Sequence, residues 1–461
     1  MMHPIDYSII VLYLLLLLFF GFIYRLKKED NVSDLILGGR ALTLPAFIAS
    51  LVSTWYGGIL GVGEYTYLYG ISNWLVFGLP YYLAALLFAI FLAKKARQSK
   101  LLTIPERLAQ TYDNKTALAG SVIIFLMTVP AAYILMLGVL CEQFFNIPFS
   151  IGVILGTIFS IIYLFMGGFK AVVRTDLFQF ILMFIGFIIL LSYVSINYGG
   201  FEFLRQNIPN QHFSWHGGNS GWYIAVWYVI ALATLIEPAF FQRCYAAKNE
   251  KTARNGIFIS IICWMFFDFL TTATGLYAKA ILPNLTDPVA SFPALAMEVL
   301  PVGLLGLFAL ALLSTIMSTV DSYSFLAAST FGNDIIPKLF KNSSDKIIFY
   351  TRVGLVFSTI LAVMFALFFR SAIDIWHAFG SIGTPALLIP LFFSFVGRKR
   401  MSPKAAFSSI VFAGSLSFVW YCSKYFIESG EYFLQIQPIF PGLIISLLIF
   451  ILSRKNRNLQ L

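Results

Sequence analysis

Residues 314–322 read STIMSTVDS, inside an apolar run from Pro301 to about Phe331. Thr315, Ser318, Thr319 and Ser322 fall at i, i+3, i+4 and i+7, so a helix lines up their hydroxyls on one face, with Asp321 beside the stripe. Polar groups inside an apolar helix are costly at membrane depth, and they face a bundle interior, a cavity or an ion. A blander reading stands beside this one: the hydroxyls bond back to their own helix carbonyls, and Asp321 sits near an aqueous end. The segment alone leaves both open.

Around that stretch the chain is apolar throughout. Of its 461 residues 59% are hydrophobic and 11% charged, too little charge for the surface of a soluble globule. Thirteen runs reach the length of a membrane-spanning helix, roughly 7–25, 44–69, 73–93, 117–142, 148–166, 175–196, 222–242, 256–281, 302–331, 347–369, 372–396, 405–423 and 437–453. The first has no basic residue before it and no small-residue cleavage site, so it reads as a retained helix. The expectation is an all-α polytopic membrane protein, one transmembrane domain over 1–461. The four cysteines are scattered, and the four histidines form no paired ligand set. No GxxxxGK[ST] loop and no nucleophile–base spacing occurs, which argues against an ATPase or an enzyme.

An odd number of spans puts the termini on opposite sides. With the N-terminus outside, all of the 31 Lys and Arg except Arg205, Lys279, Arg370 and Lys424 fall on one face. That bias predicts N-terminus out and C-terminus cytoplasmic in the plasma (inner) membrane. It also accounts for the net charge of +10 without nucleic acid, since the charge is spread over short loops.

Two spans read as broken. The second carries Gly57, Gly58, Gly61 and Gly63 midway, and the seventh carries Glu237-Pro238. Freed backbone groups are tolerated in a membrane only against protein or a water-filled cavity. Paired breaks in two halves point to a secondary transporter's binding site. The breaks are five spans apart, which predicts a five-plus-five inverted repeat: an extra helix at 7–25, repeats at 44–196 and 222–396, and two C-terminal helices at 405–453.

Four motifs then carry a resemblance: GGRALTLPAFIASLVSTWYGG (38–58), GGFKAVVRTDLFQF (167–180), EPAFFQRCYAAK (237–248) and MSTVDSYSFLAASTFGNDI (317–335). In order and spacing they resemble the sodium/solute symporter family, whose inverted-repeat fold is named after the bacterial leucine transporter. The resemblance implies sodium-coupled symport of a small organic solute, with Na+ as coupling ion, no cofactor and no obligate protein partner. Alternatives are a proton-coupled or sodium-leak variant, or a transport-fold sensor. The implied sodium site takes carbonyls at Ser53, Tyr56 and Thr315 and hydroxyls at Ser318 and Thr319. A second cation site in some members matches Asp176, Asp321 and Ser322, although Asp321 departs from the usual hydroxyl. Asp176 has a rival role as an N-terminal helix cap. Implied solute-wall positions are Trp55, Glu64, Tyr133, Trp227, Tyr228 and Thr234, with Asp268 a further candidate. Proline-transporting members carry Trp and Tyr where Ile230 and Thr234 stand, which argues against proline. Glu64 and Glu237 suit a cationic or polyhydroxy solute, and Glu237 is also expected to pair with Arg243.

Overall fold

The computed structural model describes residues 2–23, 31–340, 346–369, 371–397, 399–427, 430–453 and 455–456. Thirteen apolar helices organise it: α1 (Pro4–Ile23), α2 (Leu44–Ser72), α3 (Trp74–Ser99), α4 (Asn114–Phe145), α5 (Phe149–Ile162), α6 (Gly167–Tyr198), α7 (Gly221–Ala246), α8 (Glu250–Ile281), α9 (Leu304–Leu339), α10 (Ile347–Phe369), α11 (Ala372–Phe395), α12 (Pro403–Tyr425) and α13 (Ile439–Ser453). Ten of these are long and apolar enough to cross a membrane, while α1, α5 and α13 are shorter apolar helices. Each expected span overlaps one of these helices, and a further short apolar helix lies at Pro288–Val299. Among the described residues, strand pairing is limited to Lys399–Arg400 with Lys455–Asn456 and an isolated parallel bridge between Leu42 and Ala247. The end of the first expected span, together with Arg25, Lys27, Lys28, Lys341, Arg370, Arg398, Arg454 and Arg457 of the charge pattern, lies outside the described residues.

α9 is the central post. Every residue from Ser314 to Ser329 is buried, polar ones included. In its most apolar 18-residue window 89% of residues are buried, against 33% in α10. The contrast follows from position. α9 packs on α6, α10, α1, α4 and α2, whereas α10 turns Ile360, Met364 and Phe368 outward at four-residue spacing, an apolar stripe for lipid.

Both expected breaks are present. α2 runs as α-helix from Leu44 to Trp55, tightens into a 3-10 turn at Tyr56–Gly58, and resumes at Ile59. Ser53 thus stays helical, and the break is narrower than the glycines suggest. α7 changes to 3-10 winding at Ala231–Ile236, and Glu237 is extended with φ −65° and ψ 114°. Proline explains this. Pro238 has no N–H for the carbonyl four residues back, and it biases its predecessor away from helix. α5 and α6 are two helices joined across a sharp kink at Gly168, whose φ of 58° only glycine adopts without strain. α6 therefore begins at Gly167, well before the expected 175.

Gly57 sets how closely α2 approaches α9. A Cβ there would overlap the Thr319 side chain. Gly57→Ala should force the two helices apart and lower stability by roughly 1–3 kcal/mol. Gly200→Ala, where a Cβ meets nothing within 4 Å, should leave the melting temperature of purified protein unchanged. Equal melting of the two variants would refute the close-approach argument.

Candidate functional site

An α-helix leaves its last four carbonyls without helical partners, so the α2 helix ending at Trp55 presents carbonyls toward α9. Thr319 Oγ1 donates to the Thr54 carbonyl at 2.7 Å. It also lies 3.4 Å from the Ser53 carbonyl and 3.5 Å from that of Thr315. Ser318 Oγ lies 2.9 Å from Ser53 Oγ. Ser53, Thr315, Ser318 and Thr319 are thus gathered into one dry cluster of uncharged oxygens. The Tyr56 residue begins the break, but its side chain turns to the carboxylate of Asp268. The two readings of the hydroxyl stripe divide by residue. Thr315 Oγ1 bonds back to Ala311 at 2.8 Å, leaving its carbonyl as the useful group, while Ser318, Thr319 and Ser322 bond across helices.

Beside this cluster lies a buried ion pair that sequence reasoning assigned otherwise. The Arg243 side chain is completely enclosed. Its Nη2 donates to Ser322 Oγ (2.6 Å) and Thr54 Oγ1 (2.8 Å) and lies 3.5 Å from Asp176 Oδ2. Nε donates to Ser50 Oγ at 3.1 Å, and Nη1 to Gln242 Oε1 at 3.0 Å. Asp176 also accepts from Ser50 (2.5 Å) and Ser318 (2.6 Å). It sits inside α6, past the helix start, so it is not a cap. The expected pairing of Arg243 with Glu237 is replaced by this one, because α7 turns the guanidinium inward among α2, α6 and α9. Asp176 and Ser322 meet around the guanidinium. Asp321 is equally buried.

A cavity of about 200 Å³ opens between the two breaks. Trp55, Tyr133, Trp227 and Asp268 line it as expected, and Glu237 joins them. Glu64, Tyr228 and Thr234 are not among its walls. Thr234 is buried within the α7 break, and Tyr228 packs with a separate apolar cluster around Tyr65 and Trp227. Walls not anticipated are Tyr81, Tyr82, Trp264, Tyr323 and Trp376. In a chain that is 17% aromatic, no local signal separates these rings from packing ones.

Helices interrupted midway along apolar spans beside a cavity are the mark of a secondary transporter. Comparison with known proteins narrows the class. A model of the Sodium:solute symporter family matches residues 35–413, and the chain belongs to that family. It is 26% identical to the sodium/pantothenate symporter of Haemophilus influenzae, over 95% of this chain and 92% of that protein. It is 25% identical to the sodium/proline symporter of Staphylococcus aureus, over 98% of this chain and 93% of that one. Its fold is similar to that of a Na+-coupled sialic acid symporter solved in a substrate-bound outward-open state. There the TM-score is 0.79 at 18% identity, covering 98% of this chain and 99% of the other. The protein is accordingly a multi-pass membrane transporter.

Removing either partner of a buried ion pair leaves an uncompensated charge, at a cost of about 3–5 kcal/mol. Asp176→Asn and Arg243→Gln should each lower the melting temperature strongly. The double variant should lose less than the sum of the two. Additive losses would show that the pair is not coupled.

Proposed function

We propose that sodium binds between the α2 break and α9, held by the carbonyls of Ser53, Tyr56 and Thr315 and the hydroxyls of Ser318 and Thr319. Its gradient drives a small organic solute inward through the cavity by alternating access. The observation that carries this reading is the convergence of Thr319 Oγ1 on the Ser53 and Thr315 carbonyls at the break. A hard monovalent cation exchanges its water shell for such oxygens, and neutral ligands let it leave again. Ser318 donates its proton to Asp176, which turns a hydroxyl lone pair toward the ion. The chain is a sodium-coupled symporter by family, and this reading assigns the coupling ion to these residues.

Arg243 bears on the number of ions. A second cation at Asp176 and Ser322 would have to displace a guanidinium held by several hydrogen bonds. We read the guanidinium as the fixed cation of that pocket, and the coupling as one sodium per cycle, with Asp321 outside it. The distribution of Lys and Arg supports the N-terminus outside and the C-terminus in the cytoplasm. The matched breaks in α2 and α7 support repeats at 44–196 and 222–396.

Ser318→Ala and Thr319→Ala should each raise the half-saturating sodium concentration of uptake about tenfold or more, the loss of an interaction worth about 1–2 kcal/mol. Wild-type uptake into proteoliposomes should follow sodium with a Hill coefficient near one. Unaltered half-saturation in both variants would remove these hydroxyls from the site. A coefficient clearly above one would overturn the single-ion reading, and uptake driven equally by a proton gradient without sodium would favour the proton-coupled alternative.

A further inference from the structure

The central cavity is lined by two carboxyl groups, those of Glu237 and Asp268, and, among the described residues, by no lysine or arginine. Both carboxylates are more than nine-tenths buried, at 8% and 3% exposure. Each is held by tyrosine hydroxyls, not by a cation. Tyr56 and Tyr82 each donate to one oxygen of Asp268. Tyr323 donates to Glu237 Oε1 at 2.9 Å, and the Ala239 N–H reaches the same oxygen at 3.3 Å. Arg243 is committed to Asp176 and does not line the cavity. His377 is engaged by Gln437 and Tyr432 in a pattern that a neutral imidazole satisfies.

Two further observations concern the walls themselves. Trp55 packs edge-on to Tyr81, and its ring centroid is 5.8 Å from that of Trp264, so the apolar side of the cavity is built of aromatic rings. The indole N–H of Trp264, 2% exposed, has no hydrogen-bond partner among the described residues. A buried donor without an acceptor is costly, and in a wall it marks where an acceptor of a bound molecule belongs.

We propose that the solute carries a positively charged ammonium group, with Glu237 and Asp268 as its counter-charges, the indole faces of Trp55 and Trp264 as its walls, and an acceptor oxygen for the Trp264 N–H. This rests on the reading of the cavity as the solute site. The physical basis is that buried carboxylates without a cation are unfavourable, and a cation that arrives with its solute relieves them while gaining from the aromatic faces. A bare organic anion would face two carboxyl groups and, among the described residues, no lysine or arginine to receive it. The inference therefore separates this chain from carriers of anions such as pantothenate, and places its solute among amines and zwitterions.

The test is a thermal-shift series on the purified full chain, with and without sodium. Proline, glycine betaine and choline are set against cyclopentanecarboxylate, pantothenate and glucose. A stabilising shift from sodium alone reports the ion site, so its absence would count against the symport reading and leave the solute question distinct. In sodium, at least one ammonium-bearing compound should raise the melting temperature, and the compounds lacking that group should not. Glu237→Gln and Asp268→Asn keep hydrogen-bond capacity while deleting charge. Each should reduce the preference for the ammonium compound over its uncharged or anionic counterpart about tenfold or more. A merely structural role would weaken both compounds alike and overturn the assignment. Stabilisation by pantothenate, cyclopentanecarboxylate or glucose alone, or by no ammonium-bearing compound, would also overturn it, and this wild-type measurement stands even where a variant fails to fold.

Discussion

The backbone of α2 cannot continue as a helix through Tyr56–Gly58, and the carbonyls it releases must find partners where there is no water. Much of the central architecture follows from that constraint. Gly57 lets α9 approach closely enough for Thr319 to supply one partner, and the hydroxyl stripe of α9 supplies the others. A break that would destabilise an isolated span becomes a set of oxygens aimed at one place. The small residues of α2 and the hydroxyls of α9 are thus two halves of one requirement, and neither is interpretable without the other.

The guanidinium of Arg243 meets the same constraint with charge. Removed entirely from water, it needs several acceptors at once, and it finds them on three different helices: Ser50 and Thr54 on α2, Asp176 on α6, Ser322 on α9. A planar fork with five donors can do this, whereas an ammonium could not span the same set. Because Asp176 also accepts from Ser318, the ion pair is joined by one hydrogen bond to the oxygens of the α2–α9 contact. The pair fixes the helices that carry those oxygens, and its desolvation cost is offset only while all four helices are in register.

Sequence alone reached the parts of this arrangement that are local. The spacing from Thr315 to Ser322 and the Gly and Pro interruptions are properties of single segments, so the hydroxyl face and both breaks could be read directly. Arg243 could not be, because it follows an apolar run and resembles a loop cation. Its burial depends on α7 resuming after Pro238 and carrying it inward. Asp176 resembled a cap because the sixth apolar run reads as starting at 175, whereas the helix already runs from the kink at Gly168. For the cavity walls the obstacle was abundance. Trp55 and Trp227 were separable through their place in the two broken spans, but Tyr81, Trp264 and Trp376 become distinguishable only when the helices are assembled. Glu64 and Tyr228 lie on those same broken spans and still miss the cavity, since a span's membership of a site does not fix which of its faces points there.

The two groups of residues share their helices. Tyr56 begins the α2 break and sends its hydroxyl to Asp268 in the cavity. Tyr323 stands one turn after Thr319 on the same face of α9 and holds Glu237. Anything that draws the α2 break onto α9 therefore also sets the positions of both cavity carboxylates. By linkage, a solute that orders those carboxylates must favour the same α2–α9 contact by an equal free energy. Coupling between ion and solute then needs no long relay. It needs one rigid turn on each of two helices, with an oxygen of the proposed ion site on one side of the turn and a tyrosine on the other.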